Sequence, residues 1–273
     1  MSHSEKVAII GFGAIGRAVV SALRPIEETN VSSPQVIAVL LKPHQVISAK
    51  QILPEKVSVV TQIDELLKQK PSLVVECAGQ QAVRDCAHAV LKSGVDLMVI
   101  STGALATPGA FDALAETART TGARMIIPAG AIAGLDGLGA LKLAGLKSVR
   151  YTSIKPPVAW AGTPAEQVVN LAELLKRTVV FEGSAREAAI NFPKNANVAA
   201  TIALATLGLD QTRVRLIADP SAASNTGIIE SESAIGSLTL TMSGRASANP
   251  KTSASTAFSV IHAINRRTAS VWL

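Results

Sequence analysis

The residues Gly11-Phe12-Gly13-Ala14-Ile15-Gly16 space three glycines as G-x-G-x-x-G. This spacing suits the holding of a pyrophosphate. The first glycine permits a tight turn, the second lets the backbone approach the phosphates, and the third lets a helix pack closely on a strand. The motif has force only between a strand and a helix. Val7-Ala8-Ile9-Ile10 supplies strand-forming residues before it, and residues 17–23 follow as an amphipathic helix. Gly11, Phe12, Gly13, Ala14, Ile15 and Gly16 are therefore read as the seat of a dinucleotide. A glycine-rich turn without a ligand is the alternative.

The end of the next strand bears on which dinucleotide is held. A site specific for NAD usually places Asp or Glu there to take the ribose 2′-hydroxyl. Here the residues are Leu40-Leu41-Lys42-Pro43-His44, so nothing repels a 2′-phosphate, and Lys42 is available to pair with one. NADP or NAD is expected as cofactor, with NADP favoured. A solvated Lys42 without cofactor contact is the alternative. Small residues end three later strands, at Cys77-Ala78-Gly79, Ser101-Thr102-Gly103-Ala104 and Pro128-Ala129-Gly130-Ala131. Ala78 and Gly79 are expected against the cofactor.

These residues need elements to position them. Short β-branched runs at 7–10, 36–41, 57–60, 73–76, 97–100 and 125–127 alternate with amphipathic stretches at 17–23, 63–68, 82–92 and 110–121, and a further helix is expected at 135–143. Such alternation predicts βαβ units and a parallel sheet. The fold class is α/β, with an N-terminal Rossmann doubly wound sheet over residues 1–145. Beyond it, strand-like runs at 149–154, 214–218, 227–233 and 238–242 lack intervening helices. They predict a second, α+β domain over 146–273 with helices at 196–207 and 253–266, the last of which is expected to pack back on the first domain. Thr163-Pro164-Ala165-Glu166 has capping-box spacing and predicts a helix start without functional content.

Composition narrows the classes further. Apolar residues make up 48% of the 273, which argues for a fully folded chain, and no apolar run is long enough for a bilayer span. The net charge of +6 is dispersed and aromatic residues are 3%, so neither a basic run nor stacking platforms favour nucleic acid. No nucleic-acid or membrane partner is expected. Cys77 and Cys86 are read as packing residues, and no cluster at metal-ligand spacing occurs. A strand-like run follows residues 1–6 directly, leaving no room for a secretory leader and predicting a cytoplasmic protein.

Six further stretches resemble the L-aspartate dehydrogenase family: Glu76-Cys77-Ala78-Gly79, Pro128-Ala129-Gly130-Ala131-Ile132, Gly183-Ser184-Ala185-Arg186-Glu187-Ala188, Pro193-Lys194-Asn195-Ala196-Asn197-Val198-Ala199-Ala200, Ile217-Ala218-Asp219-Pro220 and Asn249-Pro250-Lys251-Thr252-Ser253. They run in order over nearly the whole chain. The resemblance implies an NAD(P)-dependent enzyme that interconverts aspartate with oxaloacetate and ammonia through iminoaspartate, a reaction that can feed nicotinamide cofactor biosynthesis. The implied partners are a small anionic substrate, amino acid or 2-oxo acid, together with ammonia. A homodimer is expected, its interface carried by the second domain. Ala131 and Asn197 match positions at the cofactor's nicotinamide end in that family.

Such chemistry needs cationic partners for two carboxylates and groups that move protons. Lys194 and Lys251 are candidate carboxylate partners, and Asn195 and Asn197 either orient substrate and carboxamide or cap a helix. The chain departs from the family at one position. After Asp-Pro the family carries Asn-x-His with a catalytic histidine, whereas this chain reads Asn225-Thr226-Gly227. His3, His44, His88 and His262 are expected away from the cleft, so Lys194, Asn225 and Thr226, with Ser224 beside them, become the candidates for catalysis. Three readings stay open: an aspartate dehydrogenase using another proton group, an NADPH-dependent reductase of a different imine or carbonyl, or a catalytically weak NADP-binding protein.

Overall fold

A computed structural model describes residues 5–23, 33–244 and 253–271, which form two compact units. The first comprises residues 1–104, 109–128 and 256–273, and the second comprises residues 105–108 and 129–255. The boundary read from the sequence at 145 falls within the second unit.

The first unit alternates strand and helix. Its elements are β1 (Lys6–Ile10), α1 (Ala14–Ala22), β2 (Gln35–Leu40), α2 (Val46–Lys50), β3 (Ser58–Val60), α3 (Ile63–Lys68), β4 (Leu73–Glu76), α4 (Gln80–Lys92), β5 (Asp96–Val99), α5 (Ala110–Thr121) and β6 (Met125–Ile126). All six strands pair in parallel in the order β3-β2-β1-β4-β5-β6. Helices on both faces explain why Val7, Ile9, Leu73, Val75 and Met98 are fully buried. The strand order reverses between β1 and β4, so the loops after these strands lie side by side at the carboxyl edge, where such sheets bind ligands.

The second unit starts with α6 (Leu135–Leu143), whose Leu138 is fully buried with Val149 and Ile229 of the sheet that follows. Next come β7 (Leu146–Lys155), β8 (Thr178–Ser184), α7 (Ala185–Asn191), α8 (Asn197–Ala205), β9 (Arg213–Ala218), β10 (Thr226–Ser233) and β11 (Gly236–Ser243). The sheet order is β11-β10-β7-β9-β8, with β7 and β9 parallel and the other pairs antiparallel. Alanines 185, 188, 199 and 203 let α7 and α8 lie close to Tyr151, Val214, Leu216 and Ile229.

The chain returns to the first unit as α9 (Ala254–Arg266), whose Val260 and Ile264 are fully buried in the first core. Arg267 follows and bridges Glu5 Oε1 and Asp96 Oδ2, each at 2.8 Å.

Three local expectations need correction. β8 and α7 were not anticipated, although Ser184 and Glu187 form the reciprocal capping pair that starts α7. The box at Thr163 opens only a 3₁₀ turn, Pro164–Gln167, because β-branched Val168 and Val169 follow and Asn170 caps a fresh turn through Ala172 N. α2 is a further short helix without a sequence counterpart.

Candidate active site

The glycine turn is built as the spacing requires. Gly11 has φ +92°, and a Cβ there would lie 2.7 Å from Ala78 Cβ, so the loops after β1 and β4 touch at this residue. Gly16 carries α1 against the turn, since a Cβ on it would come within 2.5 Å of Gly11 O. Gly13 differs from both. It is exposed, caps α1 without a side-chain bond, and a Cβ on it would meet no protein atom within 4 Å. Space beside a helix N-terminus with unpaired amides is the setting a pyrophosphate needs. Phe12 is buried with the Arg17 guanidinium 5.1 Å above its ring, while Ala14 is exposed and Ile15 is half-buried at the start of α1.

Glu76, at the carboxyl end of β4, fixes the neighbouring loops. Its carboxylate is buried and accepts from Ala78 N at 2.8 Å, Gly79 N at 2.7 Å, Ser101 N at 2.9 Å and Ser101 Oγ at 3.0 Å. One side chain thus ties the loop after β4 to the loop after β5, and Gly79, at φ +122°, leads from it into α4. Sequence reasoning quoted Glu76 only within a motif; acidic character at the end of a buried strand was the available signal. Burial, and then the Glu76 charge, pushes the Cys77 thiol well above its ordinary value, and burial, with the Asp85 and Glu76 charges, raises that of Cys86. Neither thiol is a ready nucleophile.

Lys42 is exposed two residues beyond β2, where the chain makes the 3₁₀ turn Pro43–Gln45, and no acidic side chain lies between residues 40 and 45. These features fit a dinucleotide, including one with a 2′-phosphate.

In the second unit the predicted residues lie on different elements. Lys194 is exposed, Asn197 opens α8, and Ala131 sits half-buried in the turn after Gly130, which has φ +69°. Asn225 accepts Gly244 N through its backbone oxygen at 2.8 Å, and the Ser224 hydroxyl donates to Gly244 O. The Thr226 hydroxyl is 3.3 Å from Ser243 Oγ on β11. Thr226 pairs with Ile154 and Gly227 with Ser153, so their side-chain positions lie on opposite faces of the sheet. Gly227 has no left-handed φ, and a Cβ on it would lie 3.2 Å from the ring edge and hydroxyl of Tyr151. Burial raises that hydroxyl to about 12, against the lowering effect of its bond with Ser153.

The residue missed by sequence reasoning is Lys155, at the end of β7. Its Nζ donates to Asn195 Oδ1 at 2.9 Å and lies 5.1 Å from the Trp160 ring centroid. Burial lowers its pKa to about 8. A lone lysine before Pro156-Pro157 carries no signal separating it from a solvated one. Lys251 and the stretch 249–252 lie outside the described residues, as does His3; His44, His88 and His262 are exposed.

Residues 11–128 match the family described as homoserine dehydrogenase, NAD binding domain, and residues 136–267 match aspartate dehydrogenase, C-terminal. The L-aspartate dehydrogenase of Cupriavidus necator is 44% identical over 97% of this chain and 98% of its own. That of Pseudomonas aeruginosa is 42% identical over the same shares. The crystal structure of aspartate dehydrogenase from Thermotoga maritima covers 99% of this chain and 100% of that one, at 28% identity and a TM-score of 0.73. A hyperthermophilic archaeal homoserine dehydrogenase solved with NADPH shares the fold alone, with 13% identity and a TM-score of 0.57 over 94% of this chain and 96% of its own. The glycine turn, the parallel sheet and the mixed second sheet together define an NAD(P)-dependent dehydrogenase of the Rossmann type. Its particular place follows from the full-length matches: the chain belongs to the L-aspartate dehydrogenase family.

Proposed function

We propose that this protein catalyses the NAD(P)-dependent interconversion of L-aspartate with oxaloacetate and ammonia through iminoaspartate, with NADP the favoured cofactor. The observation that carries this reading is identity of 44% over nearly the whole chain to an enzyme of that name, in a protein whose phosphate turn leaves Gly13 open. The bound dinucleotide would exchange a hydride with the substrate's α-carbon. The chain supplies the rest. The amides of α1 hold the pyrophosphate, Lys42 meets a 2′-phosphate, Ala78 and Gly79 are set by Glu76, and Ala131 and Asn197 serve the nicotinamide end. Lys194, Asn225 and Thr226 are the candidates for the proton steps. The protein is read as a cytoplasmic homodimer whose second unit carries the subunit contact.

Reduction of a different imine or carbonyl is the second reading, favoured by one observation: position 227 offers no side chain, and Tyr151 crowds it. A panel of 2-oxo acids and ketones, tested with ammonia and NADPH, separates the two. Oxaloacetate should be the best substrate; a ketone reduced faster without ammonia would replace the aspartate reading.

Gly227→His probes the same question. The imidazole requires Tyr151 to yield by a few tenths of an ångström. If proton transfer alone limits the aspartate reaction, kcat should rise about 10-fold with cofactor affinity unchanged. Loss of both aspartate turnover and the native activity would favour the second reading.

A further inference from the structure

We propose that Lys155 is the cationic anchor for a carboxylate of the substrate, a binding residue distinct from the exposed Lys194. The inference rests on the reading of the substrate as a dicarboxylate. Lys155 ends β7 on the same face as Tyr151 and Ser153, and Gly227 lies opposite Ser153 on that face. The same register, carried one residue before the start of β10, sets Asn225 opposite Lys155. A long side chain spans the diagonal between such neighbours. Lys155 is therefore bonded to the loop at 193–197 and stands in register with the strand start at 225–227.

Its partners leave it short of negative charge. An ammonium has three N–H donors; one goes to Asn195 Oδ1, and the Trp160 ring faces the cation. Among the described residues no carboxylate lies within ion-pair distance of it. A charge withdrawn from water in this way is stabilised when an anion completes its bonds. Asn195 gives its Oδ1 to Lys155 and retains Nδ2 as a second donor beside it. A carboxylate has two oxygens, and Nζ and Nδ2 present one donor to each. At neutral pH the lysine is cationic, consistent with its pKa of about 8.

The test is calorimetric binding of succinate, a dicarboxylate with no hydride to give, to the protein saturated with NADP⁺. Lys155→Met should weaken succinate about 10-fold or more, the loss of a charge-assisted hydrogen bond, and Lys155→Arg should recover part of it. Asn195→Asp, which puts a carboxylate on Nζ with little change of volume, should weaken succinate as much and keeps the test open if Lys155→Met does not fold. Lys147→Met, at the exposed far end of β7, controls for lost net charge and should leave binding unchanged. Wild-type affinity in folded Lys155→Met, no succinate binding by the wild type, or a loss confined to Lys194→Met would each overturn the proposal. If aspartate is not turned over but succinate binding still depends on Lys155, the aspartate reading falls and the anchor stands.

Discussion

Gly11, Gly13 and Gly16 stand within one turn, yet each answers to a different constraint. Gly11 and Gly16 are required by the protein itself, because a Cβ at either would strike Ala78 or the Gly11 carbonyl. At Gly13 a Cβ would meet no protein atom within 4 Å, so the proposed dinucleotide is what would require glycine there. Gly13→Val should therefore fold with near wild-type stability and lose dinucleotide binding, whereas Gly16→Ala should lose stability by about 1–3 kcal/mol, the usual cost of overpacking. Thermal unfolding alongside fluorescence titration with NADPH checks both; a Gly13→Val protein that still binds would show that the phosphates lie elsewhere. Lys42→Ala should weaken NADPH and leave NADH unchanged, and equal effects on the two would deny it the 2′-phosphate. The turn is legible in the sequence because its chemistry belongs to the backbone and to glycine spacing. Glu76 and Lys155 are not legible in the same way, since their roles come from loops and strands distant in the chain: Ser101 for one, Asn195 for the other.

At the scale of elements, periodicity finds what is long and regular. β4, α3, α5 and α6 match their expected bounds: α5 follows a 3.6 period, whereas β4 is a short apolar run buried throughout and α6 is apolar without a marked period. β8 escapes it because Thr178-Val179-Val180-Phe181-Glu182-Gly183 mixes apolar and polar residues and its register shifts between Val179 and Phe181. α9 is long and periodic and buries Val260 and Ile264, and an ionic tie follows beyond its end. Arg267, 13% exposed at its side chain, spans Glu5 and Asp96 at 8% and 11%. Burial would raise the Asp96 pKa, but the Arg124 amide and the Arg267 and Arg124 guanidiniums overcome it and hold the carboxyl below its ordinary value. A carboxyl lowered on folding adds stability that is complete above its unfolded pKa of about 4 and is lost as pH falls through the folded value. Arg267→Met should cost about 3 kcal/mol at neutral pH, since it takes from the buried Glu5 its cationic partner and leaves Asp96 with Arg124 alone, and should move the onset of acid unfolding to higher pH. Denaturant melts across the acid range test this, and an unchanged acid limb would deny the tie its role.

Over the whole molecule, the residues singled out above are shared between two compact units. The first holds the glycine turn and the loops at the carboxyl edge of its sheet; the second holds Lys155, Asn195 and the strand start at 225–227. No helix among the described residues is long and apolar enough to cross a membrane. The family is legible because its stretches are scattered through both units in order, so resemblance does not hang on one turn. The particular roles of side chains in the second unit are less legible, because the mixed sheet gathers them by register rather than by spacing along the chain. The account's central claim, that this chain oxidises L-aspartate with a dinucleotide held at the glycine turn, has one direct measurement. Purified protein mixed with L-aspartate and NADP⁺ or NAD⁺ should form reduced nicotinamide with matching amounts of oxaloacetate and ammonia, and Gly13→Val should form none. A wild-type protein that binds the dinucleotide yet forms no reduced cofactor from L-aspartate, or one whose Gly13→Val variant matches it, would contradict the claim.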